Sequence, residues 1–279
     1  MQCAILLLVK IRKVNFMPLF DSIEEFQNVS PVLQWAMFIV GVLIAIVALV
    51  SVGVSIWLAI KYIVYNRRTN SANLTGNEAA RKILDANGLQ HIKVSTFGSL
   101  LFGNSYSHYF KKVRIRRLTN KKPSITSLAI GAEKASLAVL DKERDPDMVT
   151  RVKLTPFIYF GPLAFIPIVA VGVIVDIILF NFTGVATLIA AGAGILFYVI
   201  SLVLSIKVLK TEVKAQQKAI EIMAEQNMAT NEELEMMKEL YKIYNIQYVN
   251  DIIMEFLQLI MRVLQFIAKA QQTFSSNND

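Results

Sequence analysis

The sequence predicts a mainly α-helical, multi-pass membrane protein with three or four transmembrane helices and a small α+β cytoplasmic domain. More than half of the residues are hydrophobic and the mean hydropathy is +0.48, which in a chain of 279 residues indicates several membrane spans. The apolar runs exceed the roughly 20 residues that cross a bilayer core, and the charged residues cluster between them.

The net charge and the single cysteine limit the possible partners, disulfides and metal sites. The net charge is +8, and most of the excess lies in one polar stretch between apolar runs. We interpret it as cytoplasmic retention with attraction to the anionic lipid bilayer, and we predict no nucleic-acid partner. Cys3 is the only cysteine, so neither an intrachain disulfide nor a Cys-based zinc site can form. His91 and His108 are too far apart in sequence to form a helical His pair.

Residues 1–31 are predicted to be an N-terminal extension. Its apolar run precedes its basic residues, the reverse of a secretory signal, and Met17 is a candidate for the true start. Three acidic residues, Asp21, Glu24 and Glu25, precede the first long apolar run without basic neighbours, which favours an N-terminus outside the cell. Residues 32–65 then form the first predicted transmembrane helix, which is long enough to tilt or to extend into the cytoplasm.

Residues 66–153 are predicted to be a cytoplasmic domain, because Lys and Arg greatly outnumber Asp and Glu there. Thr75 and Glu78 have the spacing of a capping box, and Asn87-Gly88 is a stop signal, so one helix is expected between them.

Two strands and a second helix complete this domain. Strands are predicted over 92–97 and 111–118, the latter as a basic strand at a solvated or lipid-facing edge of the sheet. The helix covers 123–140, where apolar and small residues at three- and four-residue spacing predict one packing stripe. Pro123 suits its first turn, where an N–H would be unpaired anyway.

Residues 154–208 are predicted to form a transmembrane hairpin. Two apolar runs meet at Asn181 with almost no loop, which forces an antiparallel pair. Ala186, Ala190 and Gly194 recur every four residues and favour close helix packing. Asp176 lies near the outer end, so we interpret it as interfacial and not as an ion site.

Residues 209–250 are predicted to be a cytoplasmic helical segment because they are polar and rich in helix-forming residues. The capping-box spacing of Thr230 and Glu233 predicts that the helix restarts there.

Residues 251–270 carry a narrow polar stripe on an otherwise apolar helix, and residues 271–279 form a polar tail. Exposing such a polar stripe to lipid would be energetically unfavourable. Two interpretations stay open, a fourth transmembrane helix with an inward stripe and an amphipathic helix lying in the interface. A heptad-like seam with a partner chain is a third.

The helix over 123–140 carries a family resemblance. Its sequence, PSITSLAIGAEKASLAVL, resembles the S-x-x-A-x-x-x-x-H-E-x-G-H-A helix of the neutral membrane zinc metallopeptidases, the YugP-like family. Glu133, Lys134 and Leu137 take the places of the family's His, Glu and His, and Ser136 that of its Gly. The resemblance implies a metallopeptidase-like domain in a bacterial cell-membrane protein whose HExxH motif is degenerate.

Three further stretches are similar to the family. TGNEAARKILDANGL resembles a family helix that reads G-x-E-x-A-R-x-I-L-D-x-N-G-L, and SHYFKKVRIRRLT resembles the family's D-H-Y-D segment with its following strand and retains His108. TEVKAQQKA is similar to V-E-F-N-A-S-x-R-A and retains Glu212, which the resemblance implies is the third zinc ligand. The resemblance extends from the first membrane segment onward.

The changed positions remove the chemistry of the motif. In a zinc peptidase two His four residues apart bind Zn²⁺ from one helix face, and the intervening Glu is the general base. Protonated Lys134 cannot accept a proton and repels a metal ion, and Leu137 has no lone pair. We therefore expect no catalytic residue and no metal cofactor, with Glu212, His108 and Glu133 as the remaining metal candidates.

These features predict a catalytically inactive homologue, a pseudopeptidase that acts as a scaffold or binding subunit in the membrane. Its binding groove would contain Glu212, Lys134 and Ser136, and its partner would be a membrane protein or a second copy of the chain in a homo-oligomer. One alternative is a zinc metallopeptidase that uses Glu133, Glu212 and His108 as non-standard ligands. A small transporter or channel subunit is a further alternative, although paired intramembrane charges and broken helices are not evident.

Overall fold

The computed structural model describes residues 30–179 and 184–275, without the side chains of residues 101–102, 156–166 and 271–275. The predictions for residues 1–29, the join at Asn181 and the end of the polar tail lie outside the described residues. The described part is mostly helical with one small sheet. In chain order the elements are α1 (Pro31–Arg67), α2 (Gly76–Ala86), β1 (Lys93–Ser95), α3 (Ser99–Phe102), β2 (Ser105–Ser107), β3 (Lys112–Arg114), a 3₁₀ turn (Thr119–Lys121), α4 (Ile125–Lys142), α5 (Pro146–Leu179), α6 (Val185–Glu225) and α7 (Asn231–Ser275).

The chain divides into two compact units. The first, which we call the apolar unit, comprises the described residues within the ranges Met1–Gly53, Leu154–Ile206 and Val249–Asp279. The second, the polar unit, comprises Val54–Lys153 and Lys207–Tyr248.

Helix α4 is the centre of the polar unit. All but three of its 18 residues are buried, so the prediction of a single packing stripe was wrong. Ala, Gly and Ser side chains are small enough for neighbouring elements to approach from every side. Ser124 is the N-cap and its side chain accepts a hydrogen bond from the Ser127 N–H at 3.1 Å. Pro123 therefore precedes the cap instead of lying in the first turn.

Helix α2 has the predicted capping box. The Thr75 side chain accepts from the Glu78 N–H, and the Glu78 carboxylate accepts from the Thr75 N–H at 2.8 Å. The helix stops at Asn87-Gly88, where Gly88 has a φ of +65°. Its buried face, which includes Ile83 and Leu84, belongs to the same core cluster as the apolar residues of α4.

The sheet has the order β1-β3-β2, with β1 parallel and β2 antiparallel to β3. The basic strand β3 is thus central, and its predicted edge position was wrong. Strand β2 takes the edge, and its sequence Ser-Tyr-Ser carries no strand pattern strong enough to predict it. Val113 on β3 and Ile115 just after it are fully buried.

Two helices of the described residues are long and apolar enough to cross a membrane, α1 and α6. Helix α5 contains a shorter apolar part, Pro167–Leu179. The predicted boundary at residue 250 is not a break, because α7 runs continuously from Asn231 to Ser275. The predicted restart is confirmed by the capping hydrogen bonds between Thr230 and Glu233.

Side-chain contacts connect the helices of the apolar unit. Leu259 of α7 clusters with Tyr198 and Leu202 of α6, and Arg262 lies over the Tyr198 ring, 5.0 Å from its centroid. Ala268 packs with Leu33 of α1. The polar stripe of α7 is therefore turned at Arg262 toward a neighbouring helix.

Asp176 of α5 is 3% exposed and caps the start of α6. Its carboxylate accepts from the backbone N–H groups of Ala186 and Thr187, at 3.1 and 2.6 Å, and from the Thr187 hydroxyl. Gly172 lies one helical turn before Asp176, and a Cβ added there would come within 2.5 Å of the Ala190 side chain. The small residues thus permit the close packing that the sequence predicts.

The close approach of α2 and α4 is testable through Gly131. A Cβ at this position would lie 2.3 Å from the carbonyl oxygen of Gly76, a backbone atom that cannot rotate away. We expect Gly131→Ala to lower the free energy of unfolding by about 1–3 kcal/mol, because overpacking forces the two helices apart. Thermal unfolding in mild detergent measures this.

The matched control is Gly53→Ala, where an added Cβ meets nothing within 4 Å. This substitution should leave the unfolding midpoint unchanged or raise it slightly, since Ala favours helix over Gly. Equal midpoints for the two variants would contradict the close approach.

Candidate functional site

Four buried charges meet at the motif positions of α4. The Lys134 ammonium lies 2.8 Å from Glu212 Oε2 and 3.3 Å from Glu133 Oε2. The Arg151 guanidinium contacts the other Glu212 oxygen at 2.6 Å. We call Glu133, Lys134, Arg151 and Glu212 the ion cluster. Its side chains are only 9–18% exposed, and its two positive and two negative groups balance.

Three helices supply the cluster. Glu133 and Lys134 are consecutive on α4, Arg151 is in the second turn of α5, and Glu212 is on α6. The first turn of α5 is fixed by Asp145, whose Oδ1 accepts from the N–H groups of Asp147 and Met148 at 2.9 and 3.1 Å.

Helix α6 is held to this turn by a second group of ion pairs. Lys214 contacts Asp145 at 2.9 Å and Asp147 at 2.5 Å. Lys210 also contacts Asp147, at 3.1 Å. Arg151 lies one turn after Asp147 on α5, and Glu212 lies between Lys210 and Lys214 on α6, so these ion pairs adjoin the ion cluster.

Burial and charge act in opposite directions on the pKa of each acidic group. Burial by itself raises the pKa of the Glu212 carboxyl, but the charges of Arg151 and Lys134 outweigh it and lower that pKa to about 2. For Glu133 burial is the larger effect. Together with the nearby Glu212 charge, it raises the pKa of the Glu133 carboxyl, although the Lys134 charge opposes this shift.

Lys134 stays protonated. Burial alone lowers the pKa of its ammonium, but the charges of Glu133 and Glu212 together raise it above its ordinary value. An amine that is a cation at neutral pH, donates to Glu212 and is ion-paired with Glu133 has no lone pair for a proton or a metal.

A hydrogen-bonded chain extends the cluster to α7. Gln216 Nε2 of α6 donates to Glu133 Oε1 at 3.0 Å, and its Oε1 accepts from Asn245 Nδ2 of α7 at 2.8 Å. Tyr241, one turn before Asn245, donates through its hydroxyl to the Ala129 carbonyl at 2.6 Å. The carboxylate of Glu133 is thereby oriented by side chains from two other helices.

The other motif positions are packed. Leu137 is fully buried against Leu140, Met148 and Ala215, so the position of the second His of the family's motif lies in an apolar environment. Ser136 is also fully buried, and its hydroxyl has no hydrogen-bond partner. Of the three predicted groove residues, Lys134 and Glu212 contact each other and Ser136 presents no surface. A groove for a partner at these residues stays a prediction.

His108 lies outside the ion cluster. Its Nδ1 lies 2.6 Å from Asp141 Oδ2, the same oxygen that accepts from the Tyr106 hydroxyl at 2.6 Å. The structure thus brings together Glu133, Lys134 and Glu212 and pairs His108 with a carboxylate at the end of α4. Within residues 30–179 and 184–275, no three Asp, Glu, His or Cys side chains are grouped as metal ligands.

The donor set at the motif does not fit a zinc ion. Zinc sites use deprotonated or neutral N, O and S donors in a tetrahedron. Here the two carboxylates already contact a buried ammonium and a guanidinium, and Leu137 offers no donor atom.

The sequence did not predict two residues of this site, Arg151 of the ion cluster and Gln216, which donates to Glu133. Arg151 precedes the apolar part of α5 and was counted only among the basic residues of the cytoplasmic domain. Gln216 stands where the family stretch V-E-F-N-A-S-x-R-A has a Ser, and this departure was the available signal. Neither residue has a local pattern that predicts its partner, because both partners are more than 60 positions away.

Comparison with known proteins confirms the resemblance. Residues 24–267 match the family described as "Putative neutral zinc metallopeptidase". The chain is also similar to the "Putative membrane protease YugP" of Bacillus subtilis (strain 168), with 23% identity over 228 residues that cover 78% of this chain and 93% of that protein. No solved structure matches.

The ion cluster makes Lys134 a stability determinant. Lys134→Met leaves Glu133 and Glu212 buried with Arg151 alone, and we expect it to lower the free energy of unfolding by about 3–5 kcal/mol. Combining it with Glu133→Gln removes one charge of each sign and should restore part of the loss. Denaturant titration in detergent measures both variants.

Lys238→Met is the matched control, because Lys238 pairs with Glu235 at the surface and its side chain is 52% exposed. Its cost should stay within about 1 kcal/mol. If Lys134→Met costs no more than this control, the cluster does not stabilise the fold.

Acid should weaken the fold through Glu212. Its pKa in the folded chain, about 2, lies below its ordinary value of 4.5. The ionised carboxylate therefore stabilises the fold fully above pH 4.5, and this contribution is lost as the pH falls from there toward 2. Glu212→Gln should be less stable than the native chain at neutral pH and lose less stability between about pH 5 and pH 3.

The control for the acid experiment is Glu221→Gln, which removes a carboxylate whose side chain is 63% exposed. Its unfolding midpoint should follow the native chain across the same pH range. Parallel acid profiles for Glu212→Gln and the native chain would contradict the assignment.

Proposed function

Because this chain belongs to the family of neutral zinc metallopeptidases, we propose that it is a catalytically inactive member, a pseudopeptidase that serves as a binding or scaffold subunit in the membrane. The observation that carries the proposal is the contact of the Lys134 ammonium with both Glu133 and Glu212. At the position of the family's general base, this chain has a buried cation.

The chemistry of hydrolysis supports inactivity. A zinc peptidase needs ligands that leave one position open for water and a carboxylate to take that water's proton. Glu212 is bonded to two cations, the Glu133 carboxylate is oriented by Gln216, and Leu137 offers no donor. None of these three groups is placed to accept a proton from a water molecule at a metal.

The scaffold role rests on what the cluster does for the fold. It ties α4, α5 and α6 together at the place where a relative would hold zinc, so the surrounding surface is kept in shape without a metal. We propose that this surface binds a membrane protein or a second copy of the chain. Function is carried by a site and not by a fold, so peptidase activity does not transfer with the family.

The proposed arrangement in the membrane is multi-pass, with an outer N-terminus and with residues 66–153 and 209–250 in the cytoplasm. Two candidate spans, α1 and α6, anchor the chain. The packing of α7 on α6 and α1 through Leu259 and Ala268 supports a further span over 251–270 with its polar stripe turned inward. The apolar part of α5 would complete four spans.

The metal content tests the proposal. Purified in mild detergent without chelator, the native chain and Glu212→Ala should both contain zinc at background level by mass spectrometry. The triple variant Glu133→His, Lys134→Glu, Leu137→His replaces the three changed positions by the family's residues. It should bind zinc and release peptides from a casein substrate, since removing the Lys134 ammonium frees Glu212 Oε2 to act as the third ligand.

Near-stoichiometric zinc in the native chain, lost in Glu212→Ala, would overturn the proposal and favour a peptidase with non-standard ligands. The comparison of these two chains decides the question even if the triple variant does not fold.

A further inference from the structure

One segment of the polar unit holds the whole excess of positive charge. From Ala86 to Ala132 the sequence contains no Asp or Glu and eight Lys or Arg, which equals the net charge of the entire chain, +8. The rest of the chain is therefore neutral overall. The eight basic residues are Lys93, Lys111, Lys112, Arg114, Arg116, Arg117, Lys121 and Lys122.

Three of these charges lie on one face of the sheet. Lys93 on β1 is in register with Lys112 on β3, and Arg114 is two residues further along β3. Because strand residues alternate, these three lie on the face opposite to the buried Val113.

Two exposed aromatic rings lie on this cationic face. The Lys112 ammonium is 5.3 Å from the centroid of the Phe97 ring, and the Arg114 guanidinium is 5.6 Å from that of Phe110. Phe97 is 82% and Phe110 73% exposed, and the nearby Leu100 is 88% exposed. Large apolar side chains this exposed, surrounded by cations, mark an interaction surface.

The loop after β3 contacts the C-terminal part of α1. In α1 no charged residue occurs before Lys61, and the next residue, Tyr62, contacts Thr119 through the two hydroxyls at 3.2 Å. The exposed Arg117 and Lys121 and the half-exposed Leu118 flank Thr119 and therefore lie where the apolar run of α1 ends.

A cavity of about 660 Å³ adjoins this loop. It is lined by Asn77, Thr96, Arg117, Leu118, Asn120 and Lys121. Thr96 adjoins Phe97, so the cavity joins the loop cations to the exposed aromatic face.

We propose that this basic face, made of residues 93–100 and 110–122, docks on the anionic phospholipid surface beside the first span. Arg117, Lys121 and the sheet cations would contact lipid phosphates, and Phe97 and Leu100 would enter the headgroup region. Each cation near an anionic leaflet strengthens such docking, and aromatic rings favour the interface. The proposal goes beyond the function above and does not depend on the state of the zinc motif.

Charge complementarity and the position of the basic face favour lipid over nucleic acid as its binding partner. Cations with aromatic rings also bind single-stranded nucleic acid. Leu100 and Leu118, however, are aliphatic and cannot stack on bases, and the Tyr62 contact fixes the loop at the end of a candidate membrane span.

The test uses the full chain with Cys3→Ser in lipid nanodiscs. A nitrobenzoxadiazole label on Leu100→Cys reports its surroundings, and spin-labelled lipid quenches it on contact. In nanodiscs of phosphatidylcholine with phosphatidylglycerol the label should shift to the blue and be quenched, and in phosphatidylcholine alone it should respond much less. The label on Ala224→Cys, an exposed position of the same unit, should respond in neither.

Charge variants separate docking from simple proximity. Arg117→Glu with Lys121→Glu should weaken the docked state of the Leu100→Cys chain, by roughly fivefold for each cation lost. Lys238→Glu reverses an exposed cation outside the basic face and should change nothing. Circular dichroism checks that the variants are folded.

Three results would overturn the proposal: no quenching at position 100 in anionic nanodiscs, equal quenching at positions 100 and 224, or quenching unaffected by the charge variant. Saturable binding of a single-stranded oligonucleotide in phosphatidylcholine nanodiscs, with a label response that anionic lipid fails to produce, would assign the face to nucleic acid instead.

Discussion

The ion cluster is the constraint on which the polar unit depends. Removing an ion from water costs several kcal/mol unless an opposite charge and hydrogen bonds replace the solvent. Glu133, Lys134, Arg151 and Glu212 can be buried only together, because any three of them leave an unbalanced charge. The placement of α4 is therefore linked to that of α5 and α6, and each helix is positioned by charges on the others.

Local rules predicted the parts of the fold that depend on neighbouring residues in sequence. The capping boxes at Thr75 and Thr230 were predictable because the reciprocal hydrogen bonds join residues three positions apart. The apolar character of α1 and α6 followed from hydropathy alone. The degenerate motif was also visible in sequence, since it is defined by the residue types at 133, 134 and 137.

The features that depend on tertiary contacts could not be predicted from the sequence. The all-round burial of α4 follows from elements that come before and after it in the chain, and its small residues are equally compatible with one packed stripe. Strand β2 exists because β3 offers it an edge, since Ser-Tyr-Ser has little strand propensity of its own. The ion-pair partners of Lys134 could not be predicted for the same reason, because Glu212 lies 78 positions away on another helix.

The charge balance connects the changed motif positions to the packing of the polar unit. Glu212 remains where the family resemblance places a zinc ligand, and without a metal a buried carboxylate there needs another cation. Glu133 adds a second negative charge at a position that is neutral in an HExxH motif. Lys134 supplies one positive charge at the position of the general base, and Arg151 supplies the other. A carboxylate at position 134 would instead place three acidic side chains together and repel them. The residue that the resemblance places at the general base is thus the one whose charge allows Glu133 and Glu212 to be buried together.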